Sequence, residues 1–227
     1  MLNNIYIGLG LVALLTIADY ISEGKFKNSK IKEKVVSLGA GISTTYIFLH
    51  LFPNLYTGTQ ELSRFLFIFV LLGFTIYHLV EKYIYQHAPR EEIIHEIEME
   101  HSIALFIYHF VIGIVLISLI ETNLLDGALF FFPVLFHIII DALPHSHSYQ
   151  KKSVKIFFSS AALLGAFLAI IIPIPEIIKF ILLGVIAGLL LFLETREVIP
   201  IERKGRPFYF IAGMVVYGAF IVISWSI

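Results

Sequence analysis

The chain contains no cysteine, and that absence excludes disulfide staples, thiolate metal ligands and cysteine nucleophiles together. Charge is scarce as well: 15% of the 227 residues are charged, where a soluble domain carries about 25%. The 16 basic and 17 acidic side chains nearly cancel, and no basic patch interleaved with aromatics occurs, which argues against nucleic acid as a partner. Internal repeats and low-complexity tracts are missing too. The opening MLNN has no positive charge, and no small-residue cleavage site follows the first apolar run. That run is therefore expected to be kept as a helix and not removed as a signal peptide.

What is present is apolar surface: 58% apolar residues with 21 phenylalanines and a mean hydropathy of +0.88. Eight apolar runs are readable, at 5–21, 35–55, 65–85, 102–120, 125–143, 154–172, 177–193 and 208–226. Each is near the roughly 20 residues a helix needs to cross about 30 Å of hydrocarbon. The expected fold is all-α, a polytopic membrane bundle of eight transmembrane helices forming one integral membrane domain over 1–227. The longest polar connection, HAPREEIIHEIEMEH, divides it into three helices (1–87), a loop (88–101) and five helices (102–227).

Of the 16 lysines and arginines, 14 fall in the links after the first, third, fifth and seventh runs, and Arg64 and Lys179 fall on the other side. The excess of basic residues marks the cytoplasmic face. Both termini are then outside, in a cell (inner) membrane, and the 88–101 loop is cytoplasmic. In that loop Glu92, His95 and Glu96 share one helical face, which reads either as a weak metal site or as a solvated acidic helix at the membrane surface.

An ionisable side chain at mid-membrane costs at least about 2.5–3.5 kcal/mol, so each one needs a reason. His137 and Asp141 are four residues apart and share a helix face. His109, near the middle of the fourth run, reaches a similar depth if the fourth and fifth helices are antiparallel neighbours. Two imidazoles and one carboxylate make a donor set suited to Zn2+, Fe2+ or Mn2+; the alternative is a hydrogen-bonded structural triad. His50, just before Pro53, is either an interfacial residue or a ligand on the outer side. His78 and Glu81 lie on an exit path for a cation, or Glu81 pairs with Lys82. His145 and His147, behind Pro144, either receive metal on the inner side or form a polar helix end. Asp19 and Glu194 sit near the cytoplasmic ends of their helices, where water or loop lysines are expected to satisfy them.

Several segments resemble the ZIP family of divalent-metal transporters. SLGAGISTTYIFLHLFPN is similar to that family's second helix, with its small-residue start and HLLPE-like end, and LLGFTIYHLVEKY is similar to its third. KKSVKIFFSSAALLGAFLA resembles the sixth helix, and GVIAGLLLFLETREVIP the seventh. The three-plus-five layout agrees. The resemblance implies a zinc-type transporter moving metal toward the cytoplasm by alternating access, not an enzyme. Anchored on Gly113, the family's fourth-helix motif places Tyr108 at its histidine, His109 at its asparagine and Ile112 at its acid. The fifth-helix motif places His137 at its histidine, Ile138 at its first acid, Ile140 at its proline and Asp141 at its later ligand. Two acids are thus isoleucines, and the resemblance implies one metal held by His109, His137 and Asp141, with Tyr108 behind them.

Two rival readings stand beside this one. One is a ZIP-like protein that has stopped transporting and serves as a metal sensor or scaffold. The other is an intramembrane metal-dependent hydrolase, which needs a separate general acid or base that the ligands do not leave over. The expected partners are a divalent metal ion and the lipid bilayer, and Phe-rich faces such as 130–132 are expected to meet lipid or a second copy in a homodimer.

Overall fold

The computed structural model describes residues 2–22, 29–61, 63–87, 93–141, 152–195 and 205–226. Among them every regular element is a helix and no strand occurs. Six of the predicted runs are covered by single helices: α1 (Leu2–Ser22), α4 (Leu66–His87), α5 (Ile93–Thr122), α6 (Leu124–Asp141), α9 (Glu176–Leu193) and α10 (Pro207–Ser224). The second run is built from α2 (Ser29–Tyr46), one wide turn (Ile47–Leu51) and α3 (Phe52–Glu61), and the sixth from α7 (Lys152–Ser159) and α8 (Ala161–Ile171). Four stretches are long and apolar enough to cross a bilayer, namely Asn3–Ile21, Glu33–Gln60, Glu176–Leu193 and Pro207–Ser224. Shorter apolar stretches, Leu66–Leu79, Phe106–Thr122, Leu124–Ile139 and Ala161–Ile171, lie in the other four runs.

The breaks have local causes. Pro53 lacks an N–H, and its ring crowds the carbonyl of Leu49. The wide turn lies just ahead of it, where the Phe52 N–H reaches back five residues to Ile47 O, so the chain makes room for the ring without ending the helix. At Ser160 the backbone N–H is shared between Ile156 O and Phe157 O, and the side-chain hydroxyl donates to Phe157 O at 2.7 Å. Such back-bonding bends a helix, and here it separates α7 from α8. Between α5 and α6 stands Asn123, whose Oδ1 accepts the Leu125 N–H at 2.9 Å. That N-cap turns the chain within one residue and folds α5 and α6 back on each other. Gly205, at φ 116°, precedes Pro207, which opens α10 where its missing N–H costs nothing.

Two expectations change. The sequence places the 88–101 connection, with any helix in it, apart from the fourth run, but 93–101 is continuous with α5. IIHEIEMEH contains no glycine or proline and is rich in helix-forming glutamate, so nothing in it stops the helix. The stretch 130–132 is expected to face lipid or another copy, but Phe130 and Phe131 are buried and Phe132 is exposed. Consecutive helical residues point about 100° apart, so three in a row cannot share one face.

Three helix pairs approach through glycine: α2 with α10 at Gly41 and Gly213, α4 with α9 at Gly73 and Gly188, and α5 with α8 at Gly113 and Gly165. At each of these six positions a Cβ would collide with a backbone carbonyl of the facing helix. Contact positions advance together along both members of each pair; Gly41 faces Phe210 and Met214 while Gly218 faces Thr45 and Leu49. The paired helices therefore run parallel. In lipid, where apolar side chains gain little by leaving the solvent, such close backbone approach supplies the packing energy. Helix α5 is central, packing against α1, α4, α6, α8 and α9, with Ile112, Val115, Leu116, Ile117 and Ile120 fully buried. Leu71, Ile76 and Leu79 on α4 and Val215, Phe220 and Ile223 on α10 point outward, an apolar exterior compatible with a bilayer.

Pro133, inside α6, cannot donate to the carbonyl four residues back, that of Leu129. The Tyr217 hydroxyl of α10 donates to that oxygen instead, so a proline in one helix is answered by a tyrosine in another. Tyr217→Phe is expected to destabilise the protein by about 1–3 kcal/mol, the cost of a buried carbonyl left unpaired. In a Pro133→Ala background, where the alanine N–H reaches Leu129 O, most of that cost should vanish. Thermal unfolding of the four variants measures the coupling; an equal cost in both backgrounds would show that Leu129 O is not the acceptor that matters.

Candidate metal centre and the polar column beside it

The α5–α6 turn-back brings Tyr108 and His137 together. Their ring centroids are 5.6 Å apart and nearly perpendicular, at 82°, and both residues are buried. His109 is buried as well, but as the next residue on α5 it points to a different neighbour: its Nδ1 is 3.9 Å from Asp19 Oδ2 on α1. Tyr108 touches both imidazoles, its ring lying 5.6 Å from that of His109. This layer joins α1, α5 and α6.

Asp141 closes α6, in helical register with His137, and its side chain lies outside the described residues. The same holds for the side chain of Glu81 and for His145 and His147 entirely. Among the described residues no group of three His, Asp or Glu side chains gathers as a metal site. A metal at His137 thus needs Asp141. His78 is exposed, its ring 5.9 Å from that of Phe192 on the α4–α9 seam, apart from the His137 layer. Ile112 and Ile138, at the positions where the resembled family has acids, are 0% and 2% exposed in the apolar core and offer no ligand atom.

A second cluster lies at the other end of α6. His50, on the wide turn of the second run, is buried, with Nε2 3.5 Å from Asp126 Oδ1 and 3.1 Å from Asn54 Nδ2. Asn54 follows His50 by four residues, and Asp126 stands in the first turn of α6, where the helix N-terminus favours a carboxylate. With the Asn54 amide turned over, the three side chains offer an imidazole nitrogen, a carboxylate and an amide oxygen, hard and borderline donors suited to a divalent cation. The Tyr46 ring packs beside this cluster, 5.4 Å from His50 and 6.0 Å from Phe130.

Glu194 stands between these layers. It is 2% exposed, both carboxylate oxygens are buried without a hydrogen-bond partner, and the polar group acting on it is the Ser43 hydroxyl of α2. The expectation that water or loop lysines satisfy it is corrected: although it caps α9, it is buried, with Ser43 of α2 beside it. The register in which Tyr46 meets Phe130 and His50 meets Asp126 sets Ser43 across from Pro133, one turn short of His137. At about 1.5 Å per residue, Ser43 is roughly 10 Å along α2 from His50.

Sequence reasoning missed Asn54 and Asp126, and it named Glu194 only as a residue satisfied at its helix end. Both had signals. Asn54 obeys the i, i+4 rule that singled out Asp141, and Asp126, Phe130, Pro133, His137 and Asp141 fall on one stripe of α6 at helical spacing. The burial of Glu194 had no signal, because it depends on what packs around the end of α9. The chain matches no protein-family model and no curated protein.

Proposed function

We propose that this chain is a ZIP-like membrane transporter of a divalent cation, with Zn2+ as the leading cargo, carried toward the cytoplasm by alternating access through a single site between α5 and α6. The observation that carries this reading is the polar stripe of α6: Asp126 with His50 at one end and His137 beside Tyr108 farther along, all within an otherwise apolar bundle. Ionisable side chains inside a membrane bundle are costly and mark ion pathways, which supports passage of a cation along this row. In this reading His137 and Asp141 bind the cargo, His109 with Asp19 stands beside that site across Tyr108, His50 with Asn54 and Asp126 receives it from outside, and His145 and His147 lie toward the exit.

The eight-span arrangement, with both termini outside, is part of the proposal. Its support is the parallel running of α2 with α10, α4 with α9 and α5 with α8, since spans two apart, four apart or six apart must point the same way. The sensor or scaffold reading has one observation in its favour, the burial of Ile112 and Ile138 where the resembled family keeps acids.

Uptake of radioactive zinc into proteoliposomes, against empty vesicles, tests the proposal. Saturable uptake competed by other divalent cations is the expected result. Zinc binding by the purified protein with no uptake would replace transport by sensing.

A further inference from the structure

Glu194 is the buried charged group that the metal reading does not use. Its carboxylate is 2% exposed, neither oxygen has a hydrogen-bond partner, and the Ser43 hydroxyl beside it is also without a bond of ordinary geometry. An ionised carboxylate in such surroundings is costly unless a positive charge joins it. Among the described residues no lysine or arginine pairs with it. The titratable groups carried by the elements packed against α9 are Tyr77 and His78 of α4, which lie against Phe192, Tyr46 and His50 of the second run, and Tyr108 and His109 of α5.

What could join the carboxylate is limited by the donors present. A hard metal cation takes about six oxygen ligands, whereas this place offers two carboxylate oxygens and one hydroxyl. A proton needs one. It converts the carboxylate to an acid whose O–H can donate to Ser43 Oγ and whose other oxygen can accept from the same hydroxyl. Position then gives this acid a consequence. Through Ser43 it lies between the His50–Asp126 cluster and the His137 layer, at the end of α9, which is fastened to α4 by Gly73 and Gly188.

We propose that Glu194 is a proton-binding site inside the bundle, holding a proton while it is enclosed beside Ser43 and exchanging it with water when that enclosure opens. The exchange is simple acid–base chemistry: the carboxylic O–H breaks, the proton passes to the entering water, and the carboxylate takes a proton back before the enclosure closes. That the opening accompanies cargo movement rests on the transport reading; the proton site itself does not.

Infrared spectroscopy of the full chain in bilayers tests it. Native protein at neutral pH should show a carboxylic-acid C=O band that is absent in Glu194→Gln and displaced in Glu194→Asp. Gln has the shape of the protonated acid, so Glu194→Gln should unfold at the native temperature. Adding Zn2+ in weak buffer should then release more protons from native protein than from Glu194→Gln. A native spectrum lacking a band assignable to Glu194 overturns the proposal whether or not the protein transports. A band present in a protein that takes up no zinc upholds the proton site and removes the transport reading alone.

Discussion

Gly113→Leu should prevent the chain from assembling, while Gly10→Ala should leave it unchanged. A Cβ at Gly113 would run into the carbonyl oxygen of Ala162 and come within 2.9 Å of the Ala166 nitrogen. Those are backbone atoms of α8, and they cannot step aside as a side-chain tip can. Gly165 presses in the same way on Phe110 O, so the two helices cannot slide to relieve one contact without worsening the other. Overpacking a core costs about 1–3 kcal/mol even when side chains can adjust, and a whole leucine against a fixed backbone should exceed that. With total stabilities of about 5–15 kcal/mol and α5 at the centre of the bundle, the loss removes most of the folded population. At Gly10 a Cβ meets nothing within 4 Å. The measurement is the yield of monodisperse protein from membranes and its unfolding temperature. A Gly113→Leu protein with native yield and melting would mean that α5 and α8 are not in contact.

The second large effect is on cargo. His137→Ala and Asp141→Ala should each weaken zinc binding by more than about 100-fold, because even groups one step behind metal ligands cost 10–100-fold. His78→Ala, on the exposed side of α4, should bind as the native protein does. Calorimetric titration with zinc measures all three. Because His137 is buried, its removal also leaves a cavity, so Asp141→Ala serves as the companion change at the end of α6. Native affinity in both would exclude this layer as the binding site. Loss in His78→Ala alone would move the site to the α4–α9 seam.

The helices were legible because what makes them is local. Runs of apolar residues about 20 long, bounded by charged links, announce helices whatever surrounds them, and helix covers every one of the eight runs. The breaks were also written locally, in Pro53, Ser160 and Asn123. The 93–101 segment was expected as a separate helix on a polar connection, but none of its residues breaks a helix, so it runs on into α5. Within the site, the pairing of Tyr108 with the His137 helix followed from a one-residue turn between neighbouring helices. That is the shortest-range tertiary contact a bundle offers.

Sequence by itself determined that this chain is helical and apolar enough to lie in a membrane, and that His137 and Asp141 share a face of α6, since both follow from periods of a few residues. Tertiary structure alone decided which helices touch. Glycines far apart in the chain, such as Gly41 and Gly213, let backbones meet and so set register between helices. That register turned His109 toward Asp19, brought Asp126 to His50 and enclosed Glu194 at the end of its helix. A side chain's depth and company are properties of the helix packed beside it, and no period within its own helix encodes them.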